Sequence, residues 1–295
     1  MLFPEARAAL DLASDDLSVA SPDFDVVAAR QQARALAVTL PREEVASVED
    51  VDADGVPCRI YLPEDAVRGT VVHLHGGGFV LNDVEVHDAA ARRLANRTRR
   101  AVISVDYRLA PEHRFPAAPD DVDTVLSWIE GEGAVHGLEG PLLGHGDSAG
   151  ANLALVAALR HPGLFDALAL IYPFLDPTAG YGSHESETEG FDAREVAWYW
   201  EQYAGGDVTR YDDPDLAPLR SERLATLPPT LVTTAEHDPL RDEGEHLARL
   251  LAEQGVEVVA TRYLGQVHGF WRHDQVFSAA EPLMRQVASF LVAHG

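Results

Sequence analysis

The sequence predicts an α/β protein: a mostly parallel central sheet with flanking helices, extended by helical cap material. Three observations carry this. Apolar runs rich in β-formers alternate with longer stretches of helical periodicity, as in parallel strands joined by crossover helices. Several of those runs are continuously apolar, which strands covered on both faces require. The 295 residues, 46% hydrophobic and 24% charged, suffice for one large core with an inserted or appended cap.

Residues 1–40 follow neither periodicity and are assigned to a first cap segment. Glu44–Asp52 and Arg59–Leu62 flank the turn-like Asp54-Gly55 and predict a leading antiparallel hairpin. The runs Thr70–His75, Ala101–Asp106, Pro141–Leu143, Ala167–Tyr172, Thr230–Ala235 and Val256–Tyr263 read as strands. Between and after them Val84–Thr98, Ala118–Gly131, Ala149–Arg160, Arg241–Gln254 and Glu281–Ala293 read as helices. Asp176–Leu219 fits neither pattern. The expected division is an α/β core of 41–175 and 220–295, with 176–219 as an inserted second cap segment.

The chain has 48 acids, 23 bases and a formal net charge of -25, and every base is Arg because Lys is absent. A basic surface for nucleic acid or anionic membrane is therefore not expected. Two origins fit the composition: a coding bias that replaces Lys by Arg, and adaptation to high salt. The lone Cys58 excludes an internal disulfide and a cysteine-rich zinc site; beside Pro57 it reads as an inert buried thiol. No apolar run approaches the ~18 residues of a membrane span, and a soluble, cytoplasmic protein is expected.

Chemistry enters with Gly146-Asp147-Ser148-Ala149-Gly150, a G-x-S-x-G run placed between a short strand and a helix. Flanking glycines allow a turn so sharp that side chains there would collide, and the strained turn holds the Ser148 hydroxyl above the sheet. The helix N-terminus adds partial positive charge where an oxyanion would develop. His75-Gly76-Gly77-Gly78-Phe79 follows directly on the strand that begins at Thr70. Consecutive glycines let backbone N–H groups face a pocket that side chains would otherwise fill. Gly76 and Gly77, with Ala149, are the expected oxyanion donors. The alternative, a phosphate loop, lacks the Lys that such loops carry.

A nucleophilic serine needs a base and the base an orienting carboxylate, each at the carboxyl end of a strand. Asp238 and His268 follow the last two strands in the chain order this architecture expects. Asp242 and Glu243 begin the next helix and read as partners of its dipole, while His273 and Asp274 lie farther along the last loop. His73 and His145 read as ordinary core or surface residues; His73-x-His75 lacks a third nearby metal ligand.

These motifs resemble the hormone-sensitive-lipase-like (bacterial family IV) carboxylesterases of the α/β-hydrolase superfamily, from about residue 45 to the end. The matching residues are the His75–Phe79 loop, the run Asp106–Ala118, the Gly146–Gly150 elbow, Asp238–Glu243 and His268-Gly269-Phe270. The resemblance implies an α/β-hydrolase fold with a two-part cap, a triad of Ser148, Asp238 and His268, and a structural brace from Tyr107–Ala118. One departure is Ala151 after the elbow, where many relatives carry a second glycine.

Within the cap, Trp198, Tyr199, Trp200 and Tyr203 form an aromatic cluster that either roofs an acyl pocket or packs cap on core. Trp198 and Trp200, with Phe79 beside the oxyanion glycines, are the expected substrate-binding residues. No cofactor or metal is required, since the serine is the nucleophile and amides assist. The expected function is a serine carboxylesterase for short to medium acyl esters, acting on a small-molecule ester as a homodimer. An amidase or aryl formamidase with the same triad is the alternative. A non-catalytic ligand-binding protein on this fold is a further one, disfavoured because His268 is present.

Overall fold

A computed structural model describes residues 1–14, 16–187 and 190–295. Residues 188 and 189, within the expected inserted cap segment, and residue 15, within the first, lie outside the described residues. The strands are β1 (Ser47–Ala53), β2 (Val56–Leu62), β3 (Thr70–Leu74), β4 (Ala101–Val105), β5 (Leu142–Asp147), β6 (Ala167–Ile171), β7 (Thr230–His237) and β8 (Val258–Val267). They form one sheet in the order β1-β2-β4-β3-β5-β6-β7-β8. The β1–β2 hairpin pairs antiparallel and β2 meets β4 antiparallel, whereas β4, β3 and β5 through β8 run parallel.

The helices are α1 (Pro4–Ala13), α2 (Val26–Ala37), α3 (Asp88–Thr98), α4 (Ala117–Glu132), α5 (Ala149–Arg160), α6 (Gly182–Ser186), α7 (Ala193–Ala204), α8 (Arg241–Glu253) and α9 (Ala280–His294). Two apolar cores flank the sheet, and the strands feed both by alternation. Val72, Leu74, Ile103, Leu168 and Val232 face the core that holds α4, α5 and α8. Val71, Val102, Ala167, Ala169 and Leu231 face the one that holds α3 and α9. Burial on both faces is why these strands carry no polar alternation.

Several elements depart from the sequence reading: β8, expected to end at Tyr263, runs on to Val267, β2 begins at Val56 rather than Arg59, and two further differences have a local cause. β5 continues through Gly144, His145 and Gly146, residues of low strand propensity, because β3 and β6 pair with it on both sides. The helix expected from Val84 starts only at Asp88; Asp83 Oδ1 accepts the Val86 N–H at 2.8 Å, a local turn that competes with the helix. The two segments expected to form a cap each contain helices and touch: Ser18 Oγ donates to Glu195 Oε1 at 2.7 Å, and Phe24 meets Trp198 edge-on with ring centres 5.8 Å apart. Among the described residues, no helix is long and apolar enough to cross a membrane.

Candidate active site

Ser148 stands between β5 and α5 at φ 54° and ψ −119°, a region that L-residues avoid. A Cβ on Gly146 would lie 2.7 Å from the Ala151 nitrogen, and one on Gly150 2.6 Å from the His75 carbonyl, so both positions must be glycine. The strained conformation is fixed from both sides. Ser148 N–H donates to the Ile171 carbonyl at 2.9 Å, and the Ser148 carbonyl accepts from Phe174 N–H at 3.2 Å.

His268 follows β8 directly, and Asp238 follows β7. His268 Nε2 lies 3.0 Å from Ser148 Oγ, and His268 Nδ1 lies 2.8 Å from Asp238 Oδ2. Asp238 is fully buried and its other oxygen accepts the Leu240 N–H at 2.8 Å, which orients the carboxylate. The carboxylate thereby fixes the imidazole with Nε2 toward the serine. Asp242 does not compete, because its oxygens take Ser183 N–H at 2.9 Å and Arg241 Nε at 2.8 Å. Glu243 is not a mere dipole partner: fully buried, it accepts Leu175 N–H at 2.9 Å and Asp176 N–H at 3.0 Å.

The glycine loop corrects one expectation. Gly76 N–H donates to Asp147 Oδ1 at 2.9 Å inside the protein, so it is not open to an oxyanion. Gly77 and Gly78 line the cleft above Ser148 instead. Their N–H groups, and that of Ala149, donate to no acceptor among the described residues. Gly78 was overlooked although it completes the glycine run; the Asp147 contact that removes Gly76 leaves no mark in the sequence. The 107–118 run braces this loop. Tyr107 Oη donates to the His75 carbonyl at 2.6 Å and Ala110 N–H to the Phe79 carbonyl at 2.9 Å.

All three expected substrate-binding aromatics point elsewhere. Phe79, at φ 62°, turns inward and stacks on Tyr203 with ring centres 3.7 Å apart. Trp200 is fully buried against Phe174 at 4.3 Å, and Trp198 packs on Phe24 and Tyr199. The cleft, about 220 Å³, is walled by Leu81, Phe174, Phe191, Tyr199 and Arg272 around Ser148 and His268. Phe191 reaches His268 with ring centres 4.8 Å apart. Tyr199 belonged to the recognised aromatic cluster; Phe174, Phe191 and Arg272 carried no signal.

Electrostatics separate the remaining titratable groups. Burial pushes the Asp147 carboxyl up, opposed by the charge of Arg272 and by the Gly76 N–H. Burial also drives His73, His145 and His87 toward their neutral forms. His73 and His145 share a 2.9 Å hydrogen bond in the core. Among the described residues, no three His, Cys, Asp or Glu side chains are grouped to hold a metal. Cys58 is buried and its thiol is pushed up to about 12, chiefly by burial, which keeps it protonated and inert.

Residues 71–272 match a family described by the α/β-hydrolase fold. The chain belongs to that family, in its hormone-sensitive-lipase-like branch. It is 34% identical to Esterase LipI of Mycobacterium tuberculosis over 93% of this chain and 91% of the relative. It is 35% identical to an arylesterase of Saccharolobus solfataricus over 80% of each chain. A solved hyperthermophilic esterase from the archaeon Pyrobaculum calidifontis superposes with a TM-score of 0.91 at 37% identity, covering 99% of this chain and 98% of that one.

Proposed function

We propose that this α/β-hydrolase is a serine carboxylesterase for short to medium acyl esters, with Ser148 as nucleophile, His268 as its base and Asp238 orienting the base. The supporting observation is the continuous relay from Asp238 Oδ2 through His268 to Ser148 Oγ, at 2.8 and 3.0 Å. Carboxylic ester hydrolysis is the activity that the relatives' names carry, as esterase, carboxylic ester hydrolase and arylesterase.

In this reading Ser148 Oγ bonds to the ester carbonyl carbon while its proton passes to His268 Nε2. The carbonyl electron pair moves onto oxygen, where the N–H groups of Gly77, Gly78 and Ala149 and the start of α5 stabilise it. Collapse returns that pair, breaks the bond to the alcohol oxygen and hands the alcohol the His268 proton. Water, deprotonated by His268, then attacks the acyl-enzyme, and collapse breaks the bond to Ser148 Oγ, which takes the proton back from His268, and frees the acid. Residues 1–40 and 176–219 act as the cap. A cleft of about 220 Å³ walled by Phe174, Phe191 and Tyr199 favours acyl groups of about four to eight carbons over long chains.

A panel of p-nitrophenyl esters of graded length, with an aryl amide beside them, tests this. The expected outcome is ester turnover that peaks at short to medium chains and that Ser148→Ala reduces to background while leaving the melting temperature near wild type. Substantial turnover by Ser148→Ala, or failure of an organophosphonate to label Ser148, refutes the assignment. Turnover of the amide alone would replace esterase by amidase.

A further inference from the structure

Among the described residues Arg272 is the only arginine on the cleft wall, in a chain with about twice as many acids as bases. Elsewhere arginines find carboxylates readily: Arg30 pairs with Glu112 at 2.8 Å and Arg97 with Glu43 at 2.6 Å. The Arg272 guanidinium forms no ion pair or hydrogen bond among the described residues, although the residue is half-buried. Its loop is nevertheless held. Buried Arg93 donates from Nη2 to the Arg272 carbonyl at 2.9 Å and approaches Asp274 at 3.4 Å, so the neighbouring acid is engaged elsewhere. Among the described residues the one acid on the cleft wall, Asp147, feels the Arg272 charge without pairing to it and already accepts the Gly76 N–H.

We propose that Arg272 binds an anionic group of the substrate, so that the preferred esters carry a carboxylate a few atoms from the scissile carbonyl. This rests on the serine-esterase reading of the same cleft. A guanidinium presents five N–H donors in a planar fork that matches a carboxylate bidentately. Phe174, Phe191 and Tyr199 supply apolar surface for the carbons between the two ends. The net charge of -25 repels an approaching anion, and that repulsion is screened within about 10 Å at 0.1 M salt. Recognition therefore has to be short-range, inside the cleft, where Arg272 stands.

The test measures kcat/KM by proton release for charged and neutral ester pairs. On the acyl side these are the monoethyl esters of malonate, succinate and glutarate against ethyl 4-oxopentanoate; on the alcohol side, 2-acetoxypropanoate against its amide. In wild type one charged series is expected to exceed its neutral partner. Arg272→Gln should lower that charged-to-neutral ratio by about tenfold to a hundredfold, mainly through KM, with Arg272→Lys keeping part of it. The wild-type ratio is read without any variant, so it decides the matter even if Arg272→Gln fails to fold. Neutral esters favoured on both sides, or a ratio indifferent to Arg272→Gln, overturns the anion site and leaves the esterase standing. No ester turnover and no organophosphonate labelling of Ser148 overturns both.

Discussion

Replacing Glu243 should cost far more stability than its place at the start of a helix suggests. Its two carboxylate oxygens accept the N–H groups of Leu175 and Asp176, the first fully buried and the second partly so. These bonds hold the turn whose Phe174 lines the cleft and donates its N–H to the Ser148 carbonyl. Glu243→Ala leaves both donors without acceptors, at about 1–3 kcal/mol each, with the partly exposed one near the lower limit. The expected loss is roughly 2–5 kcal/mol, a large share of a typical stability of 5–15 kcal/mol. Glu243→Gln keeps one acceptor but turns an amide NH₂ toward the second donor, so about half that loss is expected.

The same residue carries a pH signature. Burial raises its pKa well above the ordinary 4.5, so the folded state holds the proton more tightly than the unfolded one. Stability from this group is therefore fully present below about 4.5 and is lost as pH rises through the folded value. Urea unfolding at a series of pH values reads both effects. The stability advantage of wild type over Glu243→Gln should widen as pH falls from 7 toward 5. A Glu243→Ala loss below 1 kcal/mol would refute the two-bond account, and an advantage that narrows on acidification would show that the Leu175 and Asp176 N–H groups, which favour the carboxylate, outweigh burial.

Asp238→Asn should lower kcat on the order of 10⁴ by analogy with the serine-protease template, whereas Asp242→Asn, whose oxygens serve Ser183 and Arg241, should cost far less; equal losses would misplace the orienting carboxylate. Tyr199→Ala removes a cleft wall and should move the best p-nitrophenyl ester up by two or more carbons, each buried CH₂ adding about 0.8 kcal/mol, while an unchanged chain-length profile would show that the ring does not end the pocket. Even with every base paired, 48 acids against 23 bases leave 25 acids without one, so NaCl should raise the melting temperature modestly and saturate by a few tenths molar; gains continuing into the molar range would indicate salt adaptation, and a fall by half-molar salt would contradict charge repulsion.

Periodicity made the framework legible because burial on both faces of a parallel sheet writes itself as apolar runs. Helix α5 spans the predicted Ala149–Arg160, since a sharp elbow starts it and an apolar sequence fills it. Strand β5 was read four residues short of its end at Asp147 because Gly144-His145-Gly146 has low strand propensity, and only pairing with β3 and β6 makes it a strand. The relay of Ser148, Asp238 and His268 could be anticipated because each follows a strand, and strand ends converge above the sheet. Glu243 was read from its position on α8 alone, which carries no trace of the turn at 174–176 that its carboxylate holds.

The cleft wall was less legible because it depends on directions that sequence spacing leaves open. Along α7, successive side chains are turned by about 100°, so Trp198, Tyr199 and Trp200 must face three ways whichever way the helix sits. The packing decides: Trp200 enters the core beside Phe174, Trp198 meets Phe24, and Tyr199 is left over the glycine loop. That ring stands where a Cβ on Gly78 would lie. The third glycine is thus required by Tyr199, while the first is required by Asp147, whose carboxylate oxygen would sit 2.5 Å from a Cβ at Gly76. One run of three identical residues therefore answers different neighbours at its two ends. The end beside Tyr199, and not the end beside Asp147, opens onto the cleft.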